Sequence, residues 1–396
     1  MEWEKATLRK DGSIEVPDRW LFLHYYEALT ILFRIENALR IFVCVILKNK
    51  LQDNWCNLTI TSDDSEEDSI KAIAKKRIAQ AKSFGYLGYT ITCPIMHLTS
   101  GELISLITSE AYWKYFNQYF LGKKEIIKNK LDEISTIRNS LAHFRPLRQG
   151  DIDLVKQNSK HVLLAIENCI SEMITCKNVV PTNTEDQWYK QLSTLGNDNC
   201  RLSFSQSSDE QWVRVSMTYN CPTLHKYAFG DTLATYTVLN LISSAVLKEY
   251  TILAKYLTCL SENTTYPLMG KEFQADFKKV IMLLFDRTML SAHHSEIKPE
   301  IEKLLTQIGQ QTSLIMQDNL AKGKLIESVF TRATLEKTPS GGSHWLFDLE
   351  PFLCHVKEDD PPEFWSAFPS FVKDFVAGTH RYPWMPTAVS RQEFPF

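Results

Sequence analysis

The segment "IRNSLAHFRP", residues 137 to 146, sets Arg138 beside Asn139 and places His143 five positions after the arginine. On an α-helix each residue advances by about 100°. Asn139 and His143 therefore share a face one turn apart, with Arg138 alongside. Together these residue types suit one kind of chemistry. Histidine moves protons near neutral pH. Arginine offers a planar fork of N–H donors that binds two phosphate oxygens at once. Asparagine can orient either partner. RNA carries its own nucleophile, the 2′-hydroxyl, so a proton carrier and a cation suffice to cut its phosphodiester. The competing reading is a solvated helix face that happens to carry a histidine.

The element that must position the trio is a helix, "KKEIIKNKLDEISTIRNSLAHF". Ile134, Ile137 and Leu141 follow its apolar stripe, which leaves the polar trio on a side or a rim. Pro146 disfavours helix at Arg145, so the helix should stop near Phe144. His143 then falls in the last turn, where unpaired carbonyls favour the imidazolium and would raise its pKa. Residues 121 to 150 are locally basic through Lys123, Lys124, Lys128, Lys130, Arg145 and Arg148. Lys124, Lys128, Arg145 and Arg148 are the candidate RNA contacts. The nearest carboxylates before the motif, Asp132 and Glu133, lie more than a turn from Arg138. Neither a metal nor another cofactor is expected.

The rest of the first half reads as helical. From Trp20 to about Leu51, apolar residues recur at steps of three and four. The acidic "TSDDSEEDS" reads as a solvated loop with an N-cap leading into "IKAIAKKRIAQAK". "SFGYLGYTITCP" is a Gly-broken connection, and "HLTSGELISLI" opens on a capping signal. A last helix, "DIDLVKQNSKHVLLAIENCISEMI", closes this half, and the pattern breaks at "CKNVVPTNTEDQ". That break predicts domains over 1–182 and 183–396. In the second, "CRLSFSQSSDEQWVRVSMTY" reads as a β-hairpin. Residues 231–257, 273–297 and 299–320 read as helices, the last opening at Pro299. The tail from Trp345 is rich in aromatics and prolines and is expected to pack across the second domain. The predicted fold class is mainly α: a helical N-terminal domain, then a mostly helical α+β domain with a small β-hairpin.

The chain has 396 residues, is 44% hydrophobic and carries a formal net charge of -3 with a pI near 6.4. That is enough for two domains with real cores. A protein that coats nucleic acid non-specifically would be more basic, so any such contact must be local. The nine cysteines are odd in number and scattered, which points to a reducing compartment and away from a disulfide scaffold or structural zinc. The N-terminus lacks a signal peptide's apolar core, and the longest apolar run, "RIFVCVILK", is too short to span a bilayer. The reading is a soluble cytoplasmic protein without a membrane partner.

Other stretches compete for attention. "DRTMLSAHH" repeats an arginine and a histidine at similar spacing, Arg287 and His293; the bland reading is an exposed helix end before Pro299. Glu36 and Arg40, four apart, are most simply a surface or interface ion pair. His293-His294 and Cys354-His355 are too isolated for metal sites. "LEKTPSGGSHW" lacks the phosphate-loop ending and reads as a loop. Neither a Gly-x-Ser-x-Gly elbow nor a dinucleotide fingerprint occurs.

"RNSLAH" within a helical domain resembles the signature of HEPN domains: Arg, four to six residues, then His, commonly with Asn after the Arg. "RIENALR", Arg34 to Arg40, resembles the first-helix Glu-x-x-x-Arg pattern of abortive-infection-type HEPN proteins. "HLTSGELISLI…YWKYF" resembles the segment before the motif helix in that group. The likeness covers roughly residues 20 to 178. It implies a HEPN-like helical bundle and a metal-independent endoribonuclease, in which two domains face each other and share one composite cleft. Carried over, Arg138 and His143 are catalytic, Asn139 supports them, and Glu36, with Arg40, is a polar orienter. Some members of the family have lost catalysis, but this chain keeps all three motif positions. The implied role is a toxin-like effector of bacterial anti-phage defence, acting on RNA. Its N-terminal domain would form a homodimer. Its C-terminal half would sense a trigger or restrain the nuclease, with a phage or host protein as partner. Arg287 and His293 would then be a degenerate second motif. The alternative is a catalytically inactive HEPN-like scaffold that binds RNA or a protein.

Overall fold

The computed structural model describes residues 7–15, 23–61, 67–84, 93–143, 145, 147–176, 178–180, 184–317, 322–338, 341–357 and 359–367. The chain divides into two compact units. Unit 1 comprises 1–46, 57–73 and 98–170; unit 2 comprises 47–56, 74–97 and 171–396.

The chain opens with a small antiparallel pair, β1 (Thr7–Leu8) and β2 (Ile14–Glu15). Gly12, at φ 83, supplies the turn between them, a conformation costly for other residues. Then come α1 (Leu23–Leu51), β3 (Thr59–Thr61), β4 (Glu67–Ser69), α2 (Ile70–Phe84), α3 (Ser100–Thr108), α4 (Trp113–Phe116), α5 (Lys124–Ala142), α6 (Gln149–Val162) and α7 (Leu164–Thr175). The flanks of the acidic stretch pair as β3 and β4; residues 62–66 lie outside the described residues. Ser69 caps α2 by accepting the Ala72 N–H at 3.1 Å.

In unit 1, α5 forms because its apolar residues keep helical spacing: Ile127, Leu131, Ile134, Ile137 and Leu141 are all buried. Each such burial contributes about 1.5–3 kcal/mol. The stripe packs α5 against α3 and α6. Asn158 of α6 donates to the Glu133 carboxylate of α5 at 2.6 Å, so that carboxylate is used structurally. The start of α3 is fixed by a capping box: Thr99 Oγ1 accepts the Glu102 N–H, and the Thr99 N–H donates to Glu102 Oε2 at 2.8 Å. On α1, Phe42 is buried with its ring centroid 5.1 Å from Tyr119 and 5.8 Å from Phe116.

Unit 2 corrects the predicted fold class. It holds β5 (Asn178–Val179), α8 (Gln187–Leu192), β6 (Cys200–Gln206), β7 (Trp212–Cys221), β8 (Thr223–Phe229), β9 (Leu233–Leu241), α9 (Ser243–Glu249), α10 (Thr251–Tyr256), β10 (Cys259–Thr265), β11 (Phe277–Asp286), α11 (Arg287–Met316), β12 (Ile326–Lys337), β13 (Ser343–Phe347) and β14 (Phe364–Ala367). These strands build a six-stranded sheet, β14-β10-β11-β7-β6-β5, and a four-stranded sheet, β13-β12-β9-β8. The protein is α+β, not a mainly α chain with a mostly helical second domain. The hairpin read from the sequence is β6–β7, but it is part of the larger sheet.

The stretches at 231–257 and 273–297, read as helices, begin as the central strands β9 and β11. Both faces of β11 are covered: Ile281, Leu283 and Phe285 are buried, and so are Met282 and Leu284 between them. A strand buried on both faces loses the alternation that distinguishes it from a helix. Helix α11 starts at Arg287 because Asp286 caps it, accepting the N–H groups of Thr288 at 2.9 Å and Met289 at 3.2 Å. It runs through Pro299, where the sequence predicted a start, and buries Leu290, Ile297, Ile301, Leu304 and Ile308. Of the aromatic tail, Phe352, Phe364 and Trp365 are buried in unit 2; residues 368–396 lie outside the described residues.

Between the neighbouring strands β10 and β11 lies a charge pair that the sequence reading passed over. Lys279 and Glu262 are 2.9 Å apart, with both side chains fully buried. Glu262 also accepts from Ser243 Oγ and, at 2.6 Å, from the Cys354 N–H; Lys279 also donates to the Phe352 carbonyl. Every polar end is satisfied, as burial of charge requires. Among the described residues no helix is long and apolar enough to cross a membrane.

Candidate functional site

Arg40, Ser100 and Arg138 gather around one carboxylate. Glu36, on α1, receives Arg40 on its Oε1, one helical turn away. Its Oε2 accepts from Ser100 Oγ at 2.7 Å and from Arg138 Nε at 3.3 Å. Arg40 also donates to the Leu98 carbonyl at 3.1 Å, which ties the loop before α3 to α1. Residues from three segments, up to 102 positions apart, thus meet at one side chain.

Electrostatics decides the state of that side chain. Burial alone would raise the Glu36 carboxyl's pKa. The charge of Arg40, the Ser100 hydroxyl and the Arg138 guanidinium outweigh burial and hold it below the usual carboxylate value. Glu36 is an anion at neutral pH and aims Arg138 through Nε. The two Nη corners of the guanidinium are left as the fork. Nη1 lies 3.4 Å from Asn139 Oδ1, so the asparagine steadies one corner. Arg138 is 37% exposed, open enough to meet a ligand.

His143 sits where α5 ends. It is the C-cap residue, its N–H bonds the Asn139 carbonyl at 3.1 Å, and its side chain is exposed. Asn139, one turn back, is exposed too. Phe144 and Pro146 lie outside the described residues. The candidate RNA contacts differ among themselves. Arg145 and Arg148 are exposed. Lys124 pairs with Glu110, and Lys128 pairs with Asp132 at 3.1 Å. Exposed pairs of this kind are worth about 0–1 kcal/mol, so a phosphate can displace them.

Arg287 and His293 occupy a different setting, in unit 2. Arg287 donates to Glu210 at 2.7 Å and to Asp186 at 3.1 Å, both through its Nη corners. His293 stacks on Tyr256, ring centroids 4.3 Å apart, and its Nδ1 lies 3.3 Å from Glu296.

Ser100 is the site residue that sequence reasoning missed. Its stretch, "HLTSGEL", reads as a helix start and as part of the segment before the motif helix, and neither reading singles out the serine. The adjacent Thr99 does cap the helix, and the serine after it turns to Glu36.

No family model, no curated protein and no solved structure matches this chain. The likeness to HEPN domains rests on the residues themselves.

Proposed function

We propose that the protein is a metal-independent endoribonuclease of the HEPN type, a toxin-like effector in anti-phage defence. The observation that carries the reading is the aim of Arg138. A partly buried anion holds its Nε, the Nη fork is left for two phosphate oxygens, and His143 stands at the end of the same helix. In the proposed reaction the 2′-hydroxyl of RNA attacks the adjacent phosphorus. His143 moves a proton, either from that hydroxyl or to the departing 5′-oxygen. Arg138 stabilises the charge that builds on the phosphate oxygens. Two such domains facing one another would supply both proton carriers, which fits a homodimer through the N-terminal domain.

The test is incubation of the purified chain with single-stranded RNA in excess EDTA. The expected products carry a 2′,3′-cyclic phosphate and a 5′-hydroxyl, and 2′-deoxy substrates resist. Cleavage that stops with EDTA, or that proceeds on DNA, would sink the proposal. Binding of RNA without cleavage would leave the scaffold reading in its place.

A further inference from the structure

We infer that Ser100 is a positioning residue for the proposed cleavage, setting the aim of Arg138 by dividing the Glu36 carboxylate between two arginines. The inference rests on the nuclease reading and adds a residue to it.

Glu36 has two oxygens and two guanidinium neighbours. Arg40 is on the same helix, one turn away, and already holds Oε1. A carboxylate beside a guanidinium tends to pair with it through both oxygens. If Glu36 turned wholly to Arg40, Arg138 would lose its anchor. Ser100 opposes that turn. Its hydroxyl donates to Oε2 at 2.7 Å, the same oxygen that accepts Arg138 Nε at 3.3 Å. The serine is itself fixed, being the first residue of α3, behind the Thr99–Glu102 capping box. The loop that carries it is held to Arg40 through the Leu98 carbonyl. One hydroxyl thus keeps Oε2 turned toward α5. The arginine's Nε is then occupied and its Nη fork is pre-set for phosphate. Pre-setting of this kind raises the rate of the chemical step more than it changes substrate affinity.

The experiment uses the full chain and an end-labelled single-stranded RNA in EDTA, comparing Ser100→Ala, Ser100→Thr, Glu36→Gln, Arg138→Ala and His143→Ala. Thr99 caps α3, so alanine at 100 leaves the fold in place, as a melting curve checks. We expect Ser100→Ala to lower kcat about tenfold, the scale of one hydrogen bond to a charged group, with KM within about twofold of wild type. Ser100→Thr should restore most of the loss. On the Glu36→Gln background, Ser100→Ala should cost nothing more, because its effect passes through that carboxylate. The Arg138 Nε–H resonance should move in Ser100→Ala and stay in Ser100→Thr. If Arg138→Ala and His143→Ala abolish cleavage while Ser100→Ala keeps wild-type kcat, this inference alone falls. A further loss on the Glu36→Gln background also overturns it. If Arg138→Ala and His143→Ala cut as wild type does, the nuclease reading falls, and the positioning claim falls with it.

Discussion

Two arginine–histidine pairs of similar spacing, Arg138 with His143 and Arg287 with His293, have surroundings that differ in kind. Arg138 has one nitrogen held by one partly buried, doubly supported carboxylate, and His143 ends its helix with its ring in solvent. Arg287 spends both Nη corners on Asp186 and Glu210, and His293 is stacked on Tyr256 and bonded to Glu296. The first pair is aimed and open; the second is absorbed into packing. The difference teaches that a motif's spacing says little until the third residue is known. In unit 1 that residue is an anion that takes Nε and leaves the Nη corners, one of them bonded to the neutral Asn139 amide, without a carboxylate partner among the described residues. In unit 2 two anions occupy it.

The largest test of this contrast is alanine at each position. Arg138→Ala and His143→Ala should each lose about 10² to 10⁴ in RNA cleavage, the range of a positioned acid–base group, while melting like wild type. Arg287→Ala and His293→Ala should cut at the wild-type rate; equal losses in both pairs would erase the distinction. Next in size is Arg138→Lys, which keeps charge and loses the fork. It should recover little of the alanine loss in kcat, because an ammonium binds as a point charge; full recovery would show that aim is irrelevant.

A smaller effect concerns the anion. The Glu36 carboxyl is held below its reference value of 4.5 in the folded chain. On acidification the unfolded chain takes up the proton first. The resulting stabilisation is complete above about pH 4.5 and fades as pH falls through the lower folded value. The gap in urea midpoint between wild type and Glu36→Gln should therefore shrink from pH 6 toward about pH 3. A constant gap would mean that Glu36 is not the titrating anchor. The smallest effect should be the stability of Arg287→Ala, about 1 kcal/mol or less in a thermal melt, since its pairs are partly exposed.

The sequence made the motif helix legible. Ile127, Leu131, Ile134, Ile137 and Leu141 repeat at three and four, and α5 ends at Ala142, beside the predicted stop near Phe144. The Glu36–Arg40 pair was readable from spacing alone. Two kinds of feature were not. Central strands such as β9 and β11 are buried on both faces, so their periodicity carries no clear label, and tertiary burial decides their state. The link from Glu36 to Ser100 and Arg138 joins residues 64 and 102 positions apart, and no local pattern encodes a contact of that range. Pro299 misled for another reason. A proline ends a helix only when packing does not hold the two halves in line, and here Ile297, Ile301 and Leu304 are buried around it.

The buried pair of Lys279 and Glu262 has a consequence for how this sequence can diverge. Loss of either partner alone leaves an uncompensated charge inside the sheet, at a cost of about 3–5 kcal/mol, whereas exchange of both for apolar residues is often neutral or better. That loss is a large fraction of a domain's total stability of about 5–15 kcal/mol, so the intermediate is disfavoured. Substitution one codon at a time is trapped between two acceptable states. Descendants of this chain should keep both charges or neither, and the two positions should vary as one character.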